Sequence, residues 1–89
     1  MEENQLRKLW AAVLERAILD LNISITSGAS LDAKNNACWW FRRDSYEFNQ
    51  FLGICRFLGL DAQSIREKYR NKIYCKYIIV RNSVVRINL

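Results

Sequence analysis

Three cysteines, Cys38, Cys55 and Cys75, and two closely spaced acid pairs, Asp44/Glu47 and Asp61/Glu67, are the side chains of this 89-residue sequence best suited to covalent or acid–base chemistry. Neither set points to catalysis. A thiol becomes a strong nucleophile when its surroundings lower its pKa. Cys38 and Cys55 fall on apolar helical faces, which leaves Cys75 as the thiol expected to be exposed. The acid pairs read as helix caps and surface charges. There is no histidine, so a histidine general base or a Ser-His-Asp triad is excluded. No C-x-x-C pair occurs, and three thiols without histidine do not make a zinc finger or ribbon. No glycine-rich phosphate loop is present. The expectation is a protein that is not an enzyme and needs neither metal nor cofactor.

What remains is recognition without bond-making. The formal charge is +5, and it is uneven. Residues 41–89 carry ten Lys and Arg against four acids, while residues 1–40 carry four against five. Such asymmetry suggests a polyanionic partner. Gln63, Ser64, Arg66 and Arg70 recur on one polar segment. Arg suits guanine edges, Gln suits adenine, and Ser suits phosphate or base. Arg42, Arg43, Lys68, Lys72 and Arg86 flank that segment and would hold phosphates, the sequence-independent part of DNA affinity. Double-stranded DNA is the expected partner.

The elements that must position these residues follow from periodicity. Leu6, Leu9, Trp10, Val13, Leu14, Ala17, Ile18 and Leu21 recur at three- and four-residue steps, which predicts an amphipathic helix over 3–21 with Trp10 as a core anchor. Residues 22–30 read as a loop. Ser30 is a candidate N-cap for a helix over 31–42, with Trp40 on its apolar face and Trp39 turned outward. Asp44-x-x-Glu47 is a capping-box pattern that predicts a third helix over 45–58, with Phe48, Phe51, Leu52, Cys55 and Leu58 as its stripe. Gly59 ends it, and Asp61 caps a fourth helix over 62–72. Residues 73–89 are β-branched and alternating, and predict a hairpin; the alternative is that the fourth helix runs on through Cys75, since no breaker marks its end. A turn at Asn82-Ser83 would pair Val80 with Val85 and Ile78 with Ile87. The fold expected is mostly α: a single four-helix domain over 1–89 containing a helix-turn-helix, with a C-terminal β-hairpin.

The helix-turn-helix pattern lies on residues 51–70, with Gly59 at the turn, small Cys55 at the helix crossing, Leu60 plugging the turn and Ile65 anchoring the second helix. Lys68 departs from it, standing where an apolar residue is usual. Trp40, Ser45, Phe48, Phe51, Cys55, Leu58-Gly59-Leu60-Asp61 and Ile65-Arg66, with the helix from Leu9 to Asp20, resemble short proteins of phage and prophage regions over residues 9–70. The resemblance implies a bacterial or phage setting and a DNA-binding or regulatory role. The resulting expectation is a sequence-specific DNA-binding protein, acting in transcription regulation for a phage or mobile element. A homodimer would set two recognition helices in successive major grooves. Two alternatives use the same basic surface: a small phage-encoded inhibitor or adaptor bound to an acidic host protein, and a DNA-packaging component. The odd cysteine count and the lack of a signal peptide predict a cytoplasmic protein of a bacterial or phage-infected cell. No apolar run is long enough for a membrane span.

Overall fold

The computed structural model describes residues 2–89. Its elements are α1 (Glu3–Leu21), α2 (Gly28–Arg42), α3 (Phe51–Leu58), α4 (Ala62–Lys68), the single turn α5 (Arg70–Ile73), and strands β1 (Cys75–Val80) and β2 (Ser83–Asn88). The chain is mostly helical with a C-terminal antiparallel hairpin. Among the described residues, five helices stand where four were expected.

The boundaries moved for identifiable reasons. α1 spans the predicted residues, because one apolar stripe defines its length. α2 begins three residues early. Ser27, not Ser30, is its cap: Ser27 Oγ accepts from Ser30 N–H at 3.2 Å, and Ser30 Oγ accepts from Ser27 N–H at 3.0 Å. A serine thus fills the role that Glu or Gln usually takes in a capping box. α3 begins six residues late. Asp44 does not cap it, and residues 44–50 form a loop that crosses the helix at Gly53. A Cβ at Gly53 would lie 1.9 Å from Glu47 O. That backbone contact excludes every residue but glycine there, and it keeps residues 45–50 from continuing the helix. Phe48, expected in the stripe, is 74% exposed and rests edge-on against Trp10 at 5.7 Å between centroids.

Gly59 has φ 73°, and Leu60 N–H donates back to Cys55 O at 2.8 Å, closing α3 in a left-handed cap. Leu60 was expected to plug this turn but is 43% exposed. α4 is shorter than the predicted fourth helix. It breaks at Tyr69 (φ −106°, ψ 18°), and α5 then carries Ile73 into full burial. The junction of α5 with β1 is held from α2, since Arg42 Nη1 donates to Ile73 O at 2.6 Å and to Cys75 O at 3.0 Å.

The hairpin turns at Arg81-Asn82, one residue before the predicted turn. Both residues have positive φ, 51° and 64°, the geometry that suits the right-handed twist of the strands. Asparagine tolerates it well. The pairs are therefore Val80↔Ser83, Ile78↔Val85 and Lys76↔Ile87, replacing the predicted ones. The faces are unchanged, because the pairing moved by two positions: Ile78, Val80, Val85 and Ile87 share one face. The core lies between α1, α2, α3 and α5. Phe41 and Phe51 meet at 4.9 Å, with Trp40 edge-on to both. The hairpin lies largely outside this core, and the molecule measures 49 × 23 × 19 Å. Its surface of 6144 Å² exceeds the roughly 5,400 Å² usual for a chain of this mass. Among the described residues, no helix is long and apolar enough to cross a membrane.

Candidate nucleic-acid interface

α4 has no buried residue. Ala62 and Ile65 pack partly buried against the core, and polar bonds secure the helix at both ends. Asp61 caps it, accepting from Gln63 N–H at 3.1 Å, Ser64 N–H at 3.4 Å and Ser64 Oγ at 2.8 Å. These bonds, that of the Ser64 hydroxyl foremost, hold the Asp61 carboxyl below its ordinary pKa. Arg66 secures the helix from the other side. Its Nε donates to Phe41 O at 2.8 Å and its Nη2 to Arg43 O at 3.1 Å, while Nη1 pairs with Asp44 at 3.0 Å. The side chain is 13% exposed and lies over the Phe51 ring. Arg66 was expected to read a base. It is instead the clamp that satisfies carbonyls at the end of α2, where a cation also meets the negative end of the helix dipole.

Two other arginines do the same. Arg42, expected on a phosphate, is spent on Ile73 O and Cys75 O. Arg7 donates to Phe57 O at 3.2 Å and Leu58 O at 3.1 Å, at the end of α3. Ser64 is committed to Asp61, Lys72 Nζ to Asn22 Oδ1, and Arg86 to Asn71 O. Much of the basic excess therefore binds the protein's own carbonyls.

Seven members of the expected set are exposed: Arg43, Gln63, Ser64, Lys68, Arg70, Lys72 and Arg86. Gln63 Nε2 donates to Glu67 Oε1 at 3.2 Å. Arg70 is 69% exposed and pairs loosely with Glu67 at 3.6 Å. Lys68 lies over the Tyr69 ring and Arg43 over the half-exposed Trp39 ring, at 5.5 and 4.9 Å. The structure brings Gln63, Arg66 and Arg70 to one open groove, lined also by Glu67, Tyr74 and Leu89. The groove continues past Arg70 and Tyr74 into a polar hollow formed by Asn71, Arg86 and Asn88. Arg42, Arg43, Lys68, Ser64 and Lys72 line neither.

No protein-family model, curated protein or solved structure matches the chain.

Three features escaped the sequence reading. Asn35 presents its carboxamide to Tyr77, donating to Tyr77 O and accepting from Tyr77 N–H, both at 2.8 Å. It acts as a one-residue substitute for a neighbouring strand. Local spacing does not mark it, since Lys34 and Asn36 on either side are equally polar. Tyr46 stacks with Arg56 at 5.0 Å, a pair separated by ten residues and invisible to helical spacing. Cys75, expected to be the exposed thiol, is fully buried. Both Cys75 and Cys38 donate to Lys72 O, at 3.4 and 3.1 Å. Burial, then the neighbouring Cys75, pushes the Cys38 thiol up to about 11. Burial raises Cys55 as well. These thiols are packed as small apolar groups, not poised as nucleophiles. Among the described residues, no group of three metal-ligating side chains converges.

Proposed function

We propose that this protein binds double-stranded DNA in the helix-turn-helix manner, with α3 and α4 as the helical pair and α4 as the helix that enters the major groove. The proposed role is transcription regulation in a phage or mobile element. The observation that carries the reading is the state of α4: a helix that buries none of its residues fully, rests on the core through Ala62 and Ile65, is capped by Asp61 and tied down by Arg66, and presents Gln63 and Lys68 outward with Arg70 just beyond it. A helix that contributes so little to the core is free to serve a partner. The hairpin beside it offers Arg86 next to the groove and Arg81 at its tip.

In this reading the contacts narrow. Gln63 and Arg70 reach base edges. Lys68, Arg43 and Arg81 hold phosphates. Arg66 and Arg42 act by keeping α4 and the hairpin in place. A titration of random-sequence duplex at two salt concentrations tests this. Binding over roughly 1–100 μM at low salt, weakening steeply as salt rises, is the expected result. Absence of binding at 50 mM salt, a condition under which a non-specific binder of about micromolar to 100 μM affinity is measurable, would overturn it.

A second reading has its own observation. Trp39 with Arg43 and Tyr46 with Arg56 are exposed aromatic–arginine pairs, the side-chain types enriched at protein interfaces. They favour the inhibitor or adaptor alternative, in which an acidic host protein is the partner. Capture of such a protein, lost in Trp39→Ala and retained in Arg70→Ala, would select it over DNA.

A further inference from the structure

The two outer edges of the hairpin differ. A strand's backbone groups alternate between its partner and the outside. Asn35 takes both the N–H and the C=O of Tyr77, so Tyr77 points away from β2. Its cross-strand partner Arg86 therefore also points outward, and alternation places Val84 and Asn88 with it. Leu89 N–H, on the opposite alternation, donates to Tyr74 O at 3.0 Å, as this assignment requires. On β1 the outward groups nearest the body are covered, since Asn35 closes Tyr77 and Arg42 takes Cys75 O, and the edge is open toward the turn at Ile79. On β2 the outward N–H and C=O groups of Val84, Arg86 and Asn88 have no partner among the described residues. An open edge flanked by exposed Val84, Val85 and Ile87 is a pairing template.

We propose that the β2 edge pairs with β2 of a second copy of this chain, antiparallel about a two-fold axis at Val85, to form a four-stranded sheet. Charge and space select the register. Outward groups must meet outward groups, so Val84, Arg86 and Asn88 can pair only among themselves or with the hairpin tip. Centring the axis on Arg86 sets two like charges directly opposite, which is destabilising. Centring it on Ile87 sets Val84 beyond the end of the partner's β2, without a partner. Centring it on Val84 leaves Asn88 without a partner. With Val85 on the axis, Val84 pairs with Arg86 of the partner subunit, twice by symmetry. The partner's tip then ends beside Asn88. Ile78 and Val85 of both copies become one unbroken apolar row, because Ile78 already pairs with Val85 within each hairpin. A second copy fits this edge because its strand supplies the matching sequence in an already extended form, with its own edge exposed in the same way.

The inference does not depend on DNA binding, and salt separates the two. Each copy carries +5, so screening should strengthen the pair, whereas salt weakens binding to DNA. Sedimentation of the wild-type chain up to about 1 mM, the range suited to an interface below about 1,200 Å², should show twice the chain mass, more of it at higher salt. Val85→Cys should convert to a disulfide-linked dimer under mild oxidation, because the axis brings the two positions together. Ile87→Cys should not, being set opposite Ser83 of the partner subunit. The three native cysteines are buried and should leave the wild-type chain uncrosslinked. A chain that stays monomeric throughout, or Ile87→Cys crosslinking as fast as Val85→Cys, would overturn the proposal. The wild-type measurement decides even if a variant misfolds.

Discussion

α3 and α4 are neighbours in sequence, separated only by Gly59, Leu60 and Asp61, yet they are held by opposite physics. Residues Phe51 to Cys55 of α3 are all buried, and its stability is that of apolar surface removed from water. α4 has no fully buried residue: Ala62 and Ile65 pack only partly buried against the core, and the Arg66 guanidinium ties the helix to carbonyls at the end of α2. A helix in the core is specified by its own stripe. A helix on the surface can be specified by a few directional bonds, which leave its outer face free for another use.

The sharpest way to break this contrast is to truncate α3. Phe51→Ala should cost about 3–5 kcal/mol, since Phe51 is fully buried against Phe41 and Trp40. Denaturant unfolding would show it as a large fall in midpoint. Arg66→Ala comes next. It strips three bonds from a side chain that is 13% exposed and should cost about 2–3 kcal/mol. Arg66→Lys should not restore it, because a point charge cannot serve three acceptors in one plane. Near-wild-type melting of Arg66→Ala would show that α4 is held by something else. Gly53→Ala should cost about 1–3 kcal/mol through overpacking against Glu47 O, a loss absent from Gly28→Ala, where the same atom meets nothing.

The two helices should also fail at opposite ends of the pH scale. Burial raises the Cys55 thiol above 9.0. Its contribution is complete below that value and is lost as pH rises through the folded pKa. Cys55→Ala should flatten that part of the alkaline unfolding profile. The Asp61 carboxyl is lowered from 3.8 by the Ser64 hydroxyl and the neighbouring N–H groups. Its contribution is complete above 3.8 and is lost as pH falls through the folded pKa. Asp61→Asn should remove that acid-limb dependence while leaving the alkaline limb intact. The smallest effect belongs to the outer face of α4. Lys68→Ala and Arg70→Ala should each change stability by no more than about 0.5 kcal/mol, while weakening DNA binding if the proposed interface is right. A large loss of stability in either would show that the face is structural.

The elements differed in how readily they could be read. α1 was legible to the residue, because a single stripe of eight apolar side chains leaves no other period. Gly59 was legible as a left-handed cap, because it stands between an ended stripe and a new cap at Asp61. The start of α3 was misread. Asp44-x-x-Glu47 satisfies a local rule, but Arg66 captures Asp44 across twenty-two residues, and Gly53 admits a crossing backbone. The hairpin's faces were legible from alternation, whereas its turn depended on which pair of residues could adopt positive φ.

The candidate site divides the same way. The order of residues alone placed the basic excess in the second half of the chain, and that property belongs to the sequence. Which of those cations face water was decided by the tertiary structure. Arg42 and Arg66 turn inward because carbonyls at the ends of α2 and α5 and at the start of β1 lack partners within their own elements, and a guanidinium satisfies several at once. Arg70 and Lys68 remain outside, Arg70 beside Glu67 and Lys68 over the Tyr69 ring. Sequence determines charge and local period, since both are properties of residues near one another in the chain. The partner of each charge is a property of space, set only when helices distant in sequence come to lie against one another.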